Sequence, residues 1–207
     1  EKPENEFWIA YIGTIGYSYD IPCVMDALAI CSKSEKIKKK LKFIAIGGGP
    51  FVGQYKKDAS RLGINAEFTG SLSYEQMVGI MCSCDIVVNP IRKGAAQSIT
   101  NKVGDYAFSG KAVINTQECE EYRRLVEEYQ CGINCECGNA EEVADAIDLN
   151  DEDQILNDDN QENLCESYIE DSEDETANYL DNMDDKIILE GSANKLASVD
   201  DGILNSV

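Results

Sequence analysis

The feature that most constrains this chain is a rhythm. Short apolar runs, most of them closed by glycine, proline or asparagine, alternate with stretches of helical spacing about three turns long. The runs are FWIAYIG (7–13), LKFIAIGGG (41–49), INAEFTG (64–70), DIVVNP (85–90), KAVIN (111–115) and CGINCE (131–136). Between the first two, residues 19–34 place Ile21, Val24, Met25, Leu28 and Ala29 on one helical face. Residues 51–62, 74–84, 118–128 and 139–148 read as further helices. Runs that are continuously apolar, rather than alternating, belong to strands buried on both faces. Joined by helices, such strands form right-handed βαβ crossovers. The expected fold is therefore α/β, a Rossmann-like parallel sheet of about six strands with helices on both faces. Such sheets bind ligands past the carboxyl ends of their strands. Here those ends are the loops 13–19, 47–50, 69–73, 90–100 and 115–119.

Charge divides the chain in two. The formal net charge is −21, but residues 1–148 hold 16 Lys and Arg against 21 Asp and Glu, whereas 149–207 hold 2 against 18. Residues 1–148 are expected to form the folded, ligand-binding domain. Residues 149–207 form an acidic segment, with short helices to about 169 bearing Leu149, Ile155, Leu156, Leu164 and Tyr168, then a solvated tail. No basic face exists to displace the counterions of a nucleic acid. No apolar run approaches the ~20 residues of a membrane span, and no signal peptide is apparent. The expectation is a cytoplasmic protein with no transmembrane segment. The nine cysteines are irregularly spaced and there is no histidine. Cys131, Cys135 and Cys137 lack the paired spacing of a zinc site, and the cysteines read as reduced thiols. The start, Glu1-Lys-Pro-Glu-Asn just before a strand, reads as a fragment cut at a linker.

Three loops carry residues that packing alone does not require. IGGGPFVG (46–53) spaces its glycines as Gly47-x-Gly49-x3-Gly53, one residue too long for the dinucleotide fingerprint. It reads either as a tight turn or as close backbone approach to a nucleotide. YIGTIGYSYD (11–20) lets Gly13, Thr14 and Gly16 present N–H groups to an anion, or is a simple turn. In QSITNKVGDYAFSGKAVIN (97–115), Ser98 or Thr100 caps a helix that carries Val103, Tyr106, Ala107 and Phe108 into a core and stops at Gly110. Lys102 and Asp105 are surplus to that packing. A lysine in a first helical turn opposes the helix dipole, a cost that a bound anion would offset; otherwise it is a solvated surface lysine.

Taken in order and spacing, YIGTIGYSYDI, FIAIGGGP, EFTGSLSYEQM, CDIVVNPI, NKVGDYAFSGKAVIN and CGINCECGNAEEVADAI resemble the carboxyl-terminal, donor-binding domain of the group 1 (family 4) retaining glycosyltransferases. These have the GT-B fold and include many that build bacterial capsular and O-antigen polysaccharide. The resemblance covers about residues 7–168, more weakly after 149. It implies one half of a GT-B fold that holds a nucleoside-diphosphate sugar, a UDP-sugar favoured, with no further cofactor and no metal. It also implies an amino-terminal acceptor half, a glycan or lipid-linked acceptor, and contact of the whole protein with the inner face of the membrane.

That family carries two glutamates separated by seven residues, the second ending five before a glycine. Counted back from Gly110, the second falls on Asp105 and the first on Gln97. The resemblance thus gives Asp105 the ribose hydroxyls, with shorter reach, and Gln97 the donor sugar, without the charge. Asn101-Lys102 matches the Asn/Ser-Lys that opens this helix in relatives, so Lys102 would share the diphosphate and, with Gln97, act in catalysis. Gly13, Thr14, Gly48, Gly49, Ser98, Thr100 and Asn101 are the implied donor-binding residues. The first-strand loop lacks the Arg and Lys of many relatives, leaving Lys102, with Arg92 or Lys93 behind it, to supply positive charge. Gln97 and the missing cations favour an alternative, a nucleotide-binding module without turnover. A sugar-nucleotide 2-epimerase is a third reading, set against the absence of histidine and of an Asp-Ser-Gly-Gly turn. Under the first reading, residues 1–207 alone transfer no sugar.

Overall fold

A computed structural model describes residues 2–34, 36–95 and 100–151. Six parallel strands, β1 (Glu6–Ile12), β2 (Lys40–Ile46), β3 (Ala66–Gly70), β4 (Ile86–Asn89), β5 (Ala112–Asn115) and β6 (Gly132–Asn134), form one sheet in the order β3-β2-β1-β4-β5-β6. Helices α1 (Ile21–Cys31), α2 (Val52–Leu62), α3 (Tyr74–Ser83), α4 (Lys102–Phe108), α5 (Glu120–Glu128) and α6 (Ala140–Asp151) follow the strands in turn. The expected Rossmann-like α/β architecture is what forms.

Residues alternate across the sheet. Ile9, Tyr11, Phe43, Ala45, Ile86, Val88 and Ile114 face one core with α1, α2 and α6. Ala10, Ile12, Ile44, Ile46, Val87 and Val113 face a second core with α3, α4 and α5. Three helices on each side explain why the strands are apolar on both faces. The split follows from handedness: winding from β1 toward β3 puts helices on one face, and winding back from β4 toward β6 puts them on the other. Winding reverses between β1 and β4, which are neighbours. Their connections leave in opposite directions and open a crevice at the carboxyl ends of the strands.

Two details of α4 differ from expectation. Val103 and Tyr106 are buried, but Phe108 is 65% exposed. At 100° per residue, position 108 lies about 200° from 106, and a seven-residue helix has no second packed face to receive it. Thr100 does not cap with its side chain either. Asn101 is the N-cap residue, in helical conformation and without a side-chain cap bond. Thr100 contributes its carbonyl, which accepts from Val103 N–H at 3.0 Å. Ser98, the other expected cap, lies outside the described residues, as does everything expected of the chain beyond 151. By contrast α6 starts as expected, with Asn139 Oδ1 accepting from Glu142 N–H at 3.2 Å.

Candidate functional site

A cleft of about 270 Å3 lies over the carboxyl ends of β1, β2 and β3. Ile12 and Gly13 from β1, Ile46 and Gly47 from β2, Ser71 and Leu72 after β3, and Met77 of α3 form its walls. Lys102 and Asp105 enter from α4.

The path of Lys102 explains why a lysine occupies that helix start. Its side chain reaches back to the β1 loop. The ammonium sits 3.9 Å from the centre of the Tyr19 ring and donates to the Tyr19 hydroxyl, a cation–π contact made on the edge of a cleft. The stem fills the space above Gly13, where a Cβ would fall 2.0 Å from Lys102 Cε. Gly13 has φ +127°, so no other residue serves both the turn and the lysine. Lys102 is the only cation among the described residues that line the cleft. Arg92 and Lys93, expected behind it, are turned elsewhere: Arg92 pairs with Asp20 at 3.6 Å and Lys93 with Glu118 at 3.8 Å.

Asp105 stands one turn further along α4, on the same side of the helix. Its Oδ1 accepts from the Tyr74 hydroxyl at 3.3 Å, across from the first residue of α3. Partial desolvation, and then the Asp105 carboxylate, push the Tyr74 hydroxyl above its ordinary range.

The glycine loops act differently from expectation. The N–H of Gly13 donates to Ile46 O at 2.9 Å and that of Gly16 to Thr14 O at 3.0 Å, so neither is offered to an anion. Gly47, with φ +141°, would place a Cβ 2.0 Å from Gly13 O, and Gly49 would place one 2.1 Å from Ile15 O. Close backbone approach is real, but these two glycines make it to the neighbouring β1 loop. Ile15 N–H completes the junction by donating to Gly48 O at 2.8 Å. The structure brings Gly13, Lys102 and Asp105 together in the cleft. Thr14, Gly48, Gly49, Thr100 and Asn101 lie outside its lining, and Gln97 and Ser98 lie outside the described residues. Sequence reasoning missed Tyr19, Tyr74 and the Ser71-Leu72 wall. Loop 69–73 had signalled the last of these by its place after a strand.

Across the crevice a ladder of amides closes the other half of the sheet. Asn89, Asn115 and Asn134 are in register on β4, β5 and β6. Asn89 Nδ2 donates to Asn115 Oδ1 at 2.9 Å, and Asn115 Nδ2 donates to Asn134 Oδ1 at 2.8 Å. Gln117 N–H donates to Asn115 Oδ1 at 3.1 Å. That backbone donor fixes the orientation of the Asn115 amide and hence of its neighbours. Cys131, Cys135 and Cys137 bond three different carbonyls, those of Val126, Glu142 and Ile91.

Residues 6–149 match the family of group 1 glycosyl transferases. No curated protein sequence matches the chain. Among solved structures it is similar to the catalytic domain of cholesterol-α-glucosyltransferase from Helicobacter pylori, with TM-score 0.63 and 20% identity over 79% of this chain and 98% of that one. It is also similar to WaaG, a glycosyltransferase involved in lipopolysaccharide biosynthesis, with TM-score 0.65 and 17% identity over 93% of this chain and 47% of that one. HepE from Anabaena, in complex with UDP-glucose, matches with TM-score 0.56 and 18% identity over 80% of this chain and 49% of that one. The chain thus spans about half the length of the latter two.

Proposed function

The chain belongs to the group 1 glycosyl transferase family, its sheet matches one half of a GT-B fold, and from that premise we propose that it is the donor-binding half of a sugar transferase. The observation that carries the reading is the convergence of Lys102 and Asp105 on a cleft over the carboxyl ends of β1, β2 and β3. A nucleoside diphosphate suits that cleft chemically. The Lys102 ammonium meets the diphosphate, and the Asp105 carboxylate accepts from ribose hydroxyls. Leu72 and Met77 offer an apolar wall to a base.

Cleavage of the donor leaves a nucleoside diphosphate with added negative charge. A cation already held in place by Tyr19 stabilises that leaving group without reorganising, which is electrostatic catalysis. The acceptor, a glycan or lipid-linked sugar of surface polysaccharide, would meet the donor only with a second wall supplied by another domain. Without that wall, orientation and exclusion of water are lost, so these residues alone would transfer no hexose. Titrating UDP and GDP into the chain by calorimetry tests the reading. Binding of UDP, tighter than GDP, is expected. Failure of both to bind would overturn it.

A further inference from the structure

Two opposite charges stand three residues apart on α4. Lys102 and Asp105 lie on the same side of the helix, at a spacing where a lysine and an aspartate ordinarily attract each other. Both line the cleft, where an ion pair between them would neutralise each with the other. Each bonds a tyrosine instead. The Lys102 ammonium donates to the Tyr19 hydroxyl, and Asp105 Oδ1 accepts from the Tyr74 hydroxyl at 3.3 Å.

The two tyrosines are anchored differently. The Tyr19 ring packs against that of Tyr11, with 5.5 Å between centroids, and the Tyr11 hydroxyl donates to Thr14 O at 2.8 Å. Tyr19 is therefore part of the packing of the β1 loop. Tyr74 is 64% exposed, and the start of α3 is fixed without its side chain. Gln76 N–H donates to Ser73 Oγ at 3.3 Å, and Ser73 N–H donates to Gln76 Oε1 at 3.2 Å, which closes a capping box. Met77, one turn on from Tyr74, lines the cleft, so the two share the side of α3 that meets it. Packing does not explain a large exposed side chain whose polar end bonds across to another helix. Its hydroxyl, raised by partial desolvation and then by the Asp105 carboxylate, keeps its proton and stays a donor.

Taking the donor-binding reading as its basis, we propose that Tyr74 is a positioning residue, which holds Asp105 apart from Lys102 so that both charges stay open to a nucleoside diphosphate. Tyr74 acts through Asp105 and does not itself touch the nucleotide. Released from Tyr74, the Asp105 carboxylate has the Lys102 ammonium as its neighbour on α4, and a pair formed there would compete with both the ribose and the diphosphate.

Calorimetric titration of UDP into the wild-type chain, Tyr74→Phe, Asp105→Ala and the double variant tests this. Phenylalanine keeps the ring and removes only the hydroxyl, so the thermal midpoint of Tyr74→Phe should match the wild type. UDP affinity should fall about five-fold in Tyr74→Phe, as for one lost hydrogen bond. It should fall no further when Tyr74→Phe is added to Asp105→Ala. Unchanged or tighter UDP binding in Tyr74→Phe would overturn the proposal. An equal fall in the Asp105→Ala background would also overturn it, giving Tyr74 a nucleotide contact or a structural role of its own. A wild type that binds neither UDP nor GDP would overturn the donor-binding reading and this assignment with it. UDP bound equally by wild type and Tyr74→Phe would overturn the assignment alone.

Discussion

Strands β1, β2 and β3 end at glycines, Gly13, Gly47 and Gly70, all at positive φ. Strands β4, β5 and β6 end at Asn89, Asn115 and Asn134, joined side chain to side chain. The same topological position is thus finished in two ways. Glycine lets the chain turn sharply and lets loops touch backbone to backbone, which leaves a concave surface with little side chain in it. Asparagine fills the equivalent space and pairs its amides from strand to strand, although Asn89 Oδ1 finds no partner among the described residues. The open half carries the cleft, and the closed half forms an abutment filled by side chains. Helix α4, packed on β4 through the Tyr106 hydroxyl bond to Val88 O, belongs to the closed half. It sends Lys102 across to the open one.

The largest expected effect comes from closing a gap in the open half. Gly47→Ala adds a methyl where φ is +141° and Gly13 O lies 2.0 Å away, combining backbone strain with a backbone clash. Urea unfolding should show a loss of about 3 kcal/mol or more. A loss below about 1 kcal/mol would mean that the loops part easily and that the junction does not shape the cleft.

The closed half should fail in the opposite way, by losing an amide. Asn115→Ala removes one acceptor from Asn89 Nδ2, which keeps Gln117 Oε1 at 3.2 Å, and the donor to Asn134 Oδ1, and about 2–3 kcal/mol should be lost. If the ladder is a true abutment, the same variant should also loosen hydrogen-exchange protection along β4. A neutral substitution would reduce the ladder to space filling.

The buried thiols add an alkaline response. Burial pushes Cys135 up to about 11, and Cys23, Cys31 and Cys84 up to about 12, from an ordinary 9. Below about pH 9 these thiols are protonated in both folded and unfolded chains. Above it the unfolded chain loses protons first, so stability should fall as pH rises from about 9 toward 12. Urea midpoints at about pH 8 and about pH 10 check the sign. Cys82, which is exposed, should alkylate while these four resist.

Most of the fold was legible because parallel strands buried on both faces read as unbroken apolar runs, and all six runs became strands. The site was legible in part. Lys102 and Asp105 stood out because helix packing did not need them. Tyr19 did not, since its tie to Lys102 joins residues 83 apart, and local spacing carries no trace of such a contact. The glycines at 47 and 49 read as a tight turn or as close approach to a nucleotide, and only the fold could say that they approach the β1 loop. The ladder was invisible for the same reason. Three asparagines at 89, 115 and 134 look like turn residues until the strands bring them into register. Phe108 misled because apolar character alone cannot say where a two-turn helix stops having a buried face.

The proposed donor site depends on Lys102 as the cation that would meet a diphosphate in the open half. Calorimetric titration of UDP and of uridine into the wild type and into Lys102→Ala tests this most directly. UDP affinity should fall about ten-fold, as for loss of a charge-assisted hydrogen bond of ~1–2 kcal/mol, while uridine affinity stays the same. UDP binding equally tight in both proteins would contradict it.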